Sequence, residues 1–259
     1  MKRFVKKYYL CTIIIFAFMM TACDEVVDIQ SIWPPAEVNI DGQSFDWDLR
    51  AFTTLMNKNI GVGIQNDSKN LYIIFALRNR MWTDLMQKNG VTLWIDNKGG
   101  VQPEFGLRYI GRIHIVEVEK DKGSRLPAIN PPDKKTDYYF SIEDYMMAID
   151  RVKNVQEKIM PDGSSGPAAN FSMPSIYNPA YIYEFSIPLA TGADSFGIGA
   201  IPGQTISIGL QWGGMDDATL QRIREMVAMG LDPSSISVPQ TRLVWARIRL
   251  ADKKEDNNR

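Results

Sequence analysis

The stretch IGVGIQNDSKNLYIIFAL, residues 60–77, carries the pattern that decides the fold. Apolar residues alternate with glycines at its start, and apolar residues alternate again from Leu71 to Leu77. Between these two parts lies a polar run at residues 66–70, which contains Asn, Asp and Ser. Such a sequence is typical of two antiparallel strands joined by a turn. The stretch therefore predicts a β-hairpin with one face towards a core.

Similar alternation recurs along the chain and predicts further strands at 91–96, 113–118, 181–189, 205–212 and 242–250. Short alternating strands separated by glycine-rich turns favour an all-β fold, a jelly-roll-like antiparallel sandwich, over βαβ units. The composition is that of an ordinary globular protein, and 259 residues supply ample surface for a core.

A short helical insertion is predicted near residues 216–230. Its apolar stripe consists of Leu220, Ile223 and Val227. Gly230 can end this helix. Residues 141–159 are compatible with a helix, because they begin with a capping-box-like pattern, but they are also compatible with a strand. Residues 161–177 are rich in proline, glycine and serine, and they are predicted to form a long loop.

The first 22 residues have the features of a signal peptide, with a basic start followed by an apolar run at 10–20. That run is too short to cross the roughly 30 Å hydrocarbon core of a bilayer as a helix. Residues 20–23, Met-Thr-Ala-Cys, resemble the bacterial lipobox. The resemblance implies that Cys23 is lipidated on sulfur and becomes the mature N-terminus. An ordinary secretory signal with a chance cysteine is the alternative.

The predicted domain organisation has four parts: a lipoprotein signal peptide at 1–22, a tether at 23–36, the sandwich at 37–251 and a charged tail at 252–259. The predicted location is the bacterial cell envelope, with the acylated Cys23 inserted in the lipid bilayer. Asp24 resembles an inner-membrane retention signal, whereas the acidic pair Asp24-Glu25 resembles a surface-export signal. The outer membrane or cell surface is favoured, and the inner membrane is the alternative.

Charge and cysteine content exclude several classes of function. The whole chain has a net charge of −1, and loss of residues 1–22 leaves 25 basic against 30 acidic residues. Neither balance has the excess of basic residues that nucleic-acid binding requires, so no nucleic-acid partner is predicted. Because Cys11 is lost with the signal peptide, Cys23 is the single cysteine left. A disulfide, a thiolate nucleophile and a cysteine metal site are thereby excluded in the mature chain.

The order of the strand motifs resembles that of the family 9 carbohydrate-binding modules and, more broadly, the DOMON-like sandwiches. The resemblance extends roughly from Val38 to Ala251 and is carried by VNIDGQSFDWD, NLYIIFAL, VTLWIDNKGG, YEFSIPLA, ISIGLQW and VWARIRLA. It implies a β-sandwich that binds a carbohydrate, or another extracytoplasmic ligand, without catalysis. The alternative is a structural or assembly lipoprotein that contacts an envelope protein through the 216–230 helix and the 161–177 loop.

Sugar binding would use exposed aromatic rings, on which the C–H faces of a sugar can stack. Relatives in the resembled family place their stacking pair at strand ends, where this chain has Trp82 and Trp212. These two residues are the candidate ligand-binding tryptophans, with Arg80 as their polar neighbour. The structural alternative is that Trp212 caps the core, because it is in phase with the apolar residues Ile206, Ile208 and Leu210.

The stretch VNIDGQSFDWD, residues 38–48, contains three aspartates and could form either a tight turn or a calcium loop. Gly42 permits positive φ, and Asp41 can accept hydrogen bonds from its own backbone, as turns require. The spacing of Asp41, Asp46 and Asp48 does not follow the EF-hand pattern. We therefore expect a tight hairpin turn with Trp47 buried, and no metal or other cofactor. Structural calcium is the alternative.

Catalysis has little support in the sequence. The single histidine, His114, lies in a predicted strand, and no G-x-S-x-G motif is present for a serine hydrolase. Many Asp and Glu residues are available for a glycosidase, so counting alone does not exclude one. Glu184 belongs to the strand motif of the resembled family, in which the acidic residue has no catalytic role. The chain is predicted not to be an enzyme.

Overall fold

The computed structural model describes residues 26–56, 59–119, 136–174, 179–192, 196–214, 217–230, 232 and 240–253. The predicted signal peptide, Cys23 and residues 254–259 of the predicted tail lie outside these ranges. In the described part of the chain, no helix is long and apolar enough to cross a membrane.

The described residues form twelve strands and two α-helices. The strands are β1 (Val27–Gln30), β2 (Phe52–Leu55), β3 (Ile60–Asn66), β4 (Asn70–Leu77), β5 (Val91–Asp96), β6 (Phe105–Glu119), β7 (Thr136–Asp150), β8 (Val155–Ile159), β9 (Ala168–Ser172), β10 (Tyr181–Pro188), β11 (Thr205–Trp212) and β12 (Arg242–Arg249). The helices are α1 (Arg80–Asn89) and α2 (Asp217–Ala228).

These strands form two sheets that pack face to face. The seven-stranded sheet has the order β1-β12-β11-β5-β6-β7-β8, and the five-stranded sheet has the order β2-β3-β4-β10-β9. All neighbours are antiparallel except β1 and β12, which pair in parallel. The predicted all-β sandwich and the hairpin at residues 60–77 are confirmed, the latter as β3 paired with β4.

The core lies between the two sheets because alternate side chains of each strand point inwards. In β10 the inward residues Tyr183, Phe185 and Ile187 are each at most 1% exposed. Tyr109 from the larger sheet meets this row, with its ring centroid 6.4 Å from that of Tyr183 and 6.0 Å from that of Phe185. Contacts of this kind between edge-to-face rings stabilise the interface of the two sheets.

A second apolar layer covers the outer face of the five-stranded sheet. Residues from the segment 32–52 pack there against the outward side chains of β4 and β10. Its buried members are Val38, Trp47, Ala51, Tyr72, Ile74, Ala180 and Ile182. The expectation that Trp47 is buried is confirmed, since the side chain is 5% exposed.

The structure assigns several segments that the sequence left open or described differently. Residues 27–30 of the predicted tether form β1, which pairs with β12. The ambiguous segment 141–159 is the end of β7 followed by β8, and the loop at 161–177 contains β9. Helix α1 was not predicted at all. The helix expected at 216–230 is present as α2.

Candidate functional site

Helix α1 closes one end of the sandwich, which we call the helical end. It follows β4 of the smaller sheet and precedes β5 of the larger one. Asn79 caps the helix, since its Oδ1 accepts a hydrogen bond of 3.2 Å from the backbone N–H of Trp82. Gly90 ends it with φ of +75°, a conformation that glycine adopts without strain. The first turn of α1 is thus fixed in place, and it carries both Arg80 and Trp82.

The two candidate tryptophans meet at this end. The ring centroids of Trp82 and Trp212 are 5.2 Å apart, and the ring planes are inclined by 52°. Trp82 is 7% exposed and Trp212 only 1%. A sugar held between two rings needs roughly parallel faces separated by twice the contact distance, about 7–8 Å. The expectation that both rings stack on a ligand does not fit these positions, and Trp212 is a core residue.

The covered ring of Trp82 has a cation above it. The Arg242 guanidinium carbon lies 5.5 Å from the centroid of the Trp82 ring. Arg242 is the cross-strand partner of Trp212, and its side chain is exposed. An exposed side chain above a nearly buried ring lies between that ring and the solvent. Arg242, which the sequence reasoning did not select, therefore forms part of the cover of Trp82.

Further arginines surround the helical end. Arg80 is the first residue of α1, Arg78 directly precedes its cap, and both are exposed. Neither side chain forms an ion pair with any described residue. The Trp212 Nε1 donor is buried without a hydrogen-bond partner among the described residues. The helical end therefore combines one aromatic ring with exposed guanidinium groups that have no acidic partner among the described residues.

Glu184 forms a buried link between the opening loop and β10. One carboxylate oxygen accepts a hydrogen bond from Trp47 Nε1 at 2.6 Å. The other accepts bonds from the backbone N–H groups of Asp41 at 2.9 Å and Gly42 at 2.8 Å. Glu184 is 0% exposed. Burial raises the pKa of Glu184 to about 7, although the hydrogen bonds from Trp47 and Gly42 act in the opposite direction.

The opening loop itself is irregular. No strand is assigned between residues 36 and 48, so the expected hairpin is replaced by a turn at Asp41-Gly42 that binds Glu184. Gly42 has φ of +76°, and a Cβ added there would lie 3.2 Å from the backbone of Phe171, so a side chain here would be strained.

The three aspartates of this loop each have a local partner. Asp41 accepts a hydrogen bond from the Gln43 N–H, and Asp46 accepts one from the Asn39 N–H. Asp48 forms an ion pair with Arg50. Across the described ranges, no group of three His, Cys, Asp or Glu side chains is arranged to hold a metal ion.

The opposite end of the sandwich has an acidic pocket of about 170 Å³, lined by Asp96, Glu104, Phe105 and Asp150 among others. The two Asp96 oxygens accept hydrogen bonds from the backbone N–H groups of Lys98 and Gln102, so this side chain stabilises a turn. Hydrogen bonds and charge from Lys153 lower the pKa of Asp150. A glycosidase acid needs a raised pKa. Asp150 therefore lacks the raised pKa of such an acid. Glu184 has a raised pKa, but it is fully buried and a substrate cannot reach it.

Strand order and core together define the class of this domain as a β-sandwich. No family model matches the chain, and no curated protein matches it. Among solved structures, a family 9 carbohydrate-binding module from Caldicellulosiruptor kristjanssonii in complex with cellotriose is 10% identical at a TM-score of 0.37, covering 88% of this chain and 96% of that one. The same type of module in complex with glucose is 9% identical at a TM-score of 0.35, covering 86% and 97%.

Proposed function

We propose that this chain is a bacterial envelope lipoprotein whose β-sandwich binds carbohydrate without catalysis. The observation that carries the proposal is the Trp82 ring at the helical end, held in place by a capped helix and covered by the exposed Arg242. An exposed cation–π contact contributes only about 0.5–1 kcal/mol. Displacement of Arg242 therefore costs little, and it uncovers part of a ring on which a sugar can stack.

In this proposal the three predicted site residues have different roles. Trp82 is the stacking surface. Trp212 supports Trp82 from the core and does not touch the ligand. Arg80, exposed on the first turn of the same helix, donates hydrogen bonds to sugar oxygens. The lack of a suitable catalytic carboxylate at Asp150 and Glu184 supports binding without hydrolysis.

Binding of a glycan array by the purified protein, with and without Trp82→Ala, tests this proposal. Loss of the aromatic surface is expected to weaken glycan binding at least tenfold, which corresponds to about 1.4 kcal/mol. Trp33→Ala is the matched control, because Trp33 also lies beneath a cation, Lys253 at 5.9 Å, away from the helical end. Equal binding by wild type and a folded Trp82→Ala protein would contradict the assignment of the site.

Anchoring in the membrane through acylated Cys23 is part of the same proposal, with the outer membrane or cell surface favoured over the inner membrane. It is supported by the lipobox-like residues 20–23. Cells that express the chain are fed a labelled fatty acid. Label is expected in the wild type and not in Cys23→Ser, and equal label in both would refute acylation at this residue.

A second candidate function is assembly with an envelope protein, and α2 favours it. None of residues 220–230 is buried, and Met229 is 80% exposed. The apolar stripe predicted for this helix is therefore only partly covered, as in surfaces that contact a partner. Crosslinking at the membrane through a photoreactive residue at position 223 would capture such a partner, and no crosslink at that position would count against it.

A further inference from the structure

We propose that the carbohydrate bound at the helical end is acidic, carrying uronate carboxylates or sulfate esters. This inference deepens the proposed function and depends on it. It is based on the charge of the helical end and on its inventory of hydrogen-bond donors and acceptors.

The first observation is a set of arginines without acidic partners. Arg78, Arg80 and Arg242 are exposed, and among the described side chains none of them forms an ion pair. Asp84 lies one turn after Arg80 on α1, but it is not paired with it. Two exposed arginines elsewhere, Arg50 and Arg247, do have acidic partners, whereas Arg222 and Arg224 of α2 have none among the described side chains. What distinguishes the helical end is that three arginines without acidic partners lie close to one aromatic ring, Trp82.

The position of Arg80 is unfavourable for the helix that carries it. The N-terminus of an α-helix has a partial positive charge, so acidic residues are favoured there and basic ones are not. The first turn of α1 contains no acidic residue. Helix stability thus gives no reason for a cation at this place, whereas an anionic ligand that contacts Arg80 gives one.

The second observation is an excess of donors among the exposed charged side chains around Trp82. Arg78, Arg80 and Arg242 offer guanidinium donors only, against a single exposed carboxylate on α1, Asp84. Neutral sugar hydroxyls both donate and accept, whereas carboxylates and sulfates only accept. A site with more donors than acceptors fits the second kind of ligand.

An acidic sugar would also supply a group that competes with Trp82 for the Arg242 guanidinium. A carboxylate or sulfate oxygen forms charge-assisted, often bidentate hydrogen bonds with a guanidinium group, and these are stronger than an exposed cation–π contact. The anion therefore draws Arg242 away from Trp82, and the sugar ring takes the uncovered surface.

Two matched pairs of probes test the inference on the purified protein: polygalacturonate against its methyl-esterified form, and dextran sulfate against dextran. We expect at least one acidic member to bind about tenfold or more tightly than its neutral counterpart, with binding weakened by salt. Arg80→Gln and Arg242→Gln are each expected to weaken that binding about tenfold. The pair that shows the difference separates uronate from sulfate recognition.

Arg247→Gln is the matched control, because it removes the same charge from an exposed arginine on the same strand as Arg242 without altering the helical end. It is expected to bind as the wild type does. If Arg247→Gln weakens binding as much as Arg242→Gln, the attraction is unspecific and the inference is overturned. Neutral glycans bound equally well, with loss only in Trp82→Ala, would overturn the inference and leave the proposed function intact. Absence of binding to acidic and neutral glycans alike would overturn both.

Discussion

At the scale of single residues, Glu184 shows how a conspicuous carboxyl group can be structural. Its three hydrogen bonds come from Trp47 and from the backbone of Asp41 and Gly42, so the two motifs IDG and YEFSIPL are joined through one side chain. The link fixes the loop that covers the outer face of the smaller sheet. Its cost is a buried group whose ionised form is disfavoured by burial.

This burial predicts a pH dependence of stability. The pKa of Glu184 is about 7 in the folded protein and close to 4.5 when exposed. Between these values the folded state binds a proton that the unfolded state does not, so the stability contributed by this group falls as the pH rises from about 4.5 to 7. Glu184→Gln cannot titrate and should lose that slope, which urea unfolding at pH 5 and pH 8 would measure.

Glu184→Gln should also be less stable than wild type at pH 5, by about 1–2 kcal/mol. Its amide nitrogen would face Trp47 or the backbone N–H groups of Asp41 and Gly42, and a nitrogen of this kind cannot accept their hydrogen bonds. Glu104→Gln, which changes an exposed carboxylate, is the control and should keep the slope of the wild type. The same pH slope in wild type and Glu184→Gln would show that Glu184 is not the group responsible.

At the scale of elements, α1 determines where Trp82 lies. A helix of ten residues has little stability of its own and depends on its cap and on packing against the sandwich. Replacement of the capping side chain in Asn79→Ala is expected to lower the free energy of unfolding by about 1 kcal/mol. Urea denaturation followed by circular dichroism would measure the change.

Asn79→Asp is the matched variant for this test. An aspartate can accept the same hydrogen bond from the Trp82 N–H, and it is also favoured by the helix dipole. It should therefore be close to wild type in stability. Equal losses in the alanine and aspartate variants would mean that the cap hydrogen bond is not what stabilises α1.

At the scale of the whole molecule, Asn66 connects the smaller sheet to the segments that follow the first and the last strand, β1 and β12. It lies at the end of β3 with 0% exposure, and its side chain accepts a 2.7 Å hydrogen bond from the Ala251 N–H and donates one of 3.1 Å to the Ala251 carbonyl oxygen. Its Oδ1 also accepts a hydrogen bond from the Ser31 hydroxyl. One amide thus ties the segment after β1 and the segment after β12 to the smaller sheet.

Removal of this amide should destabilise the whole domain. Asn66→Ala removes the partner of the buried Ser31 hydroxyl and of the Ala251 carbonyl oxygen, while the Ala251 N–H keeps its hydrogen bond to Ser31 Oγ. A loss of about 3 kcal/mol in unfolding free energy is expected. Asn59→Ala removes an exposed amide with one local hydrogen bond and serves as the control, with a change below about 0.5 kcal/mol. Similar losses in the two variants would contradict the role of Asn66.

The sequence by itself determined seven of the twelve described strands, β3 to β6 and β10 to β12, because period-two alternation depends only on neighbouring residues. The hairpin at 60–77 and the inward row of β10 follow from this local pattern. Tertiary structure alone decided the rest. The segment at 141–159 became β-structure because β7 pairs with the long strand β6, and residues 27–30 became a strand because β12, more than 200 residues away, lies beside them.

The candidate site depended on tertiary structure for the same reason. The sequence placed Trp82 and Trp212 at strand ends, but it contained no signal for their mutual contact or for the guanidinium of Arg242 above Trp82. Whether a ring is exposed, and whether an arginine has an acidic partner, depends on residues that are distant in sequence and close in space. Local pattern gives most of the strands, whereas exposure and charge pairing arise only when the sheets and α1 come together.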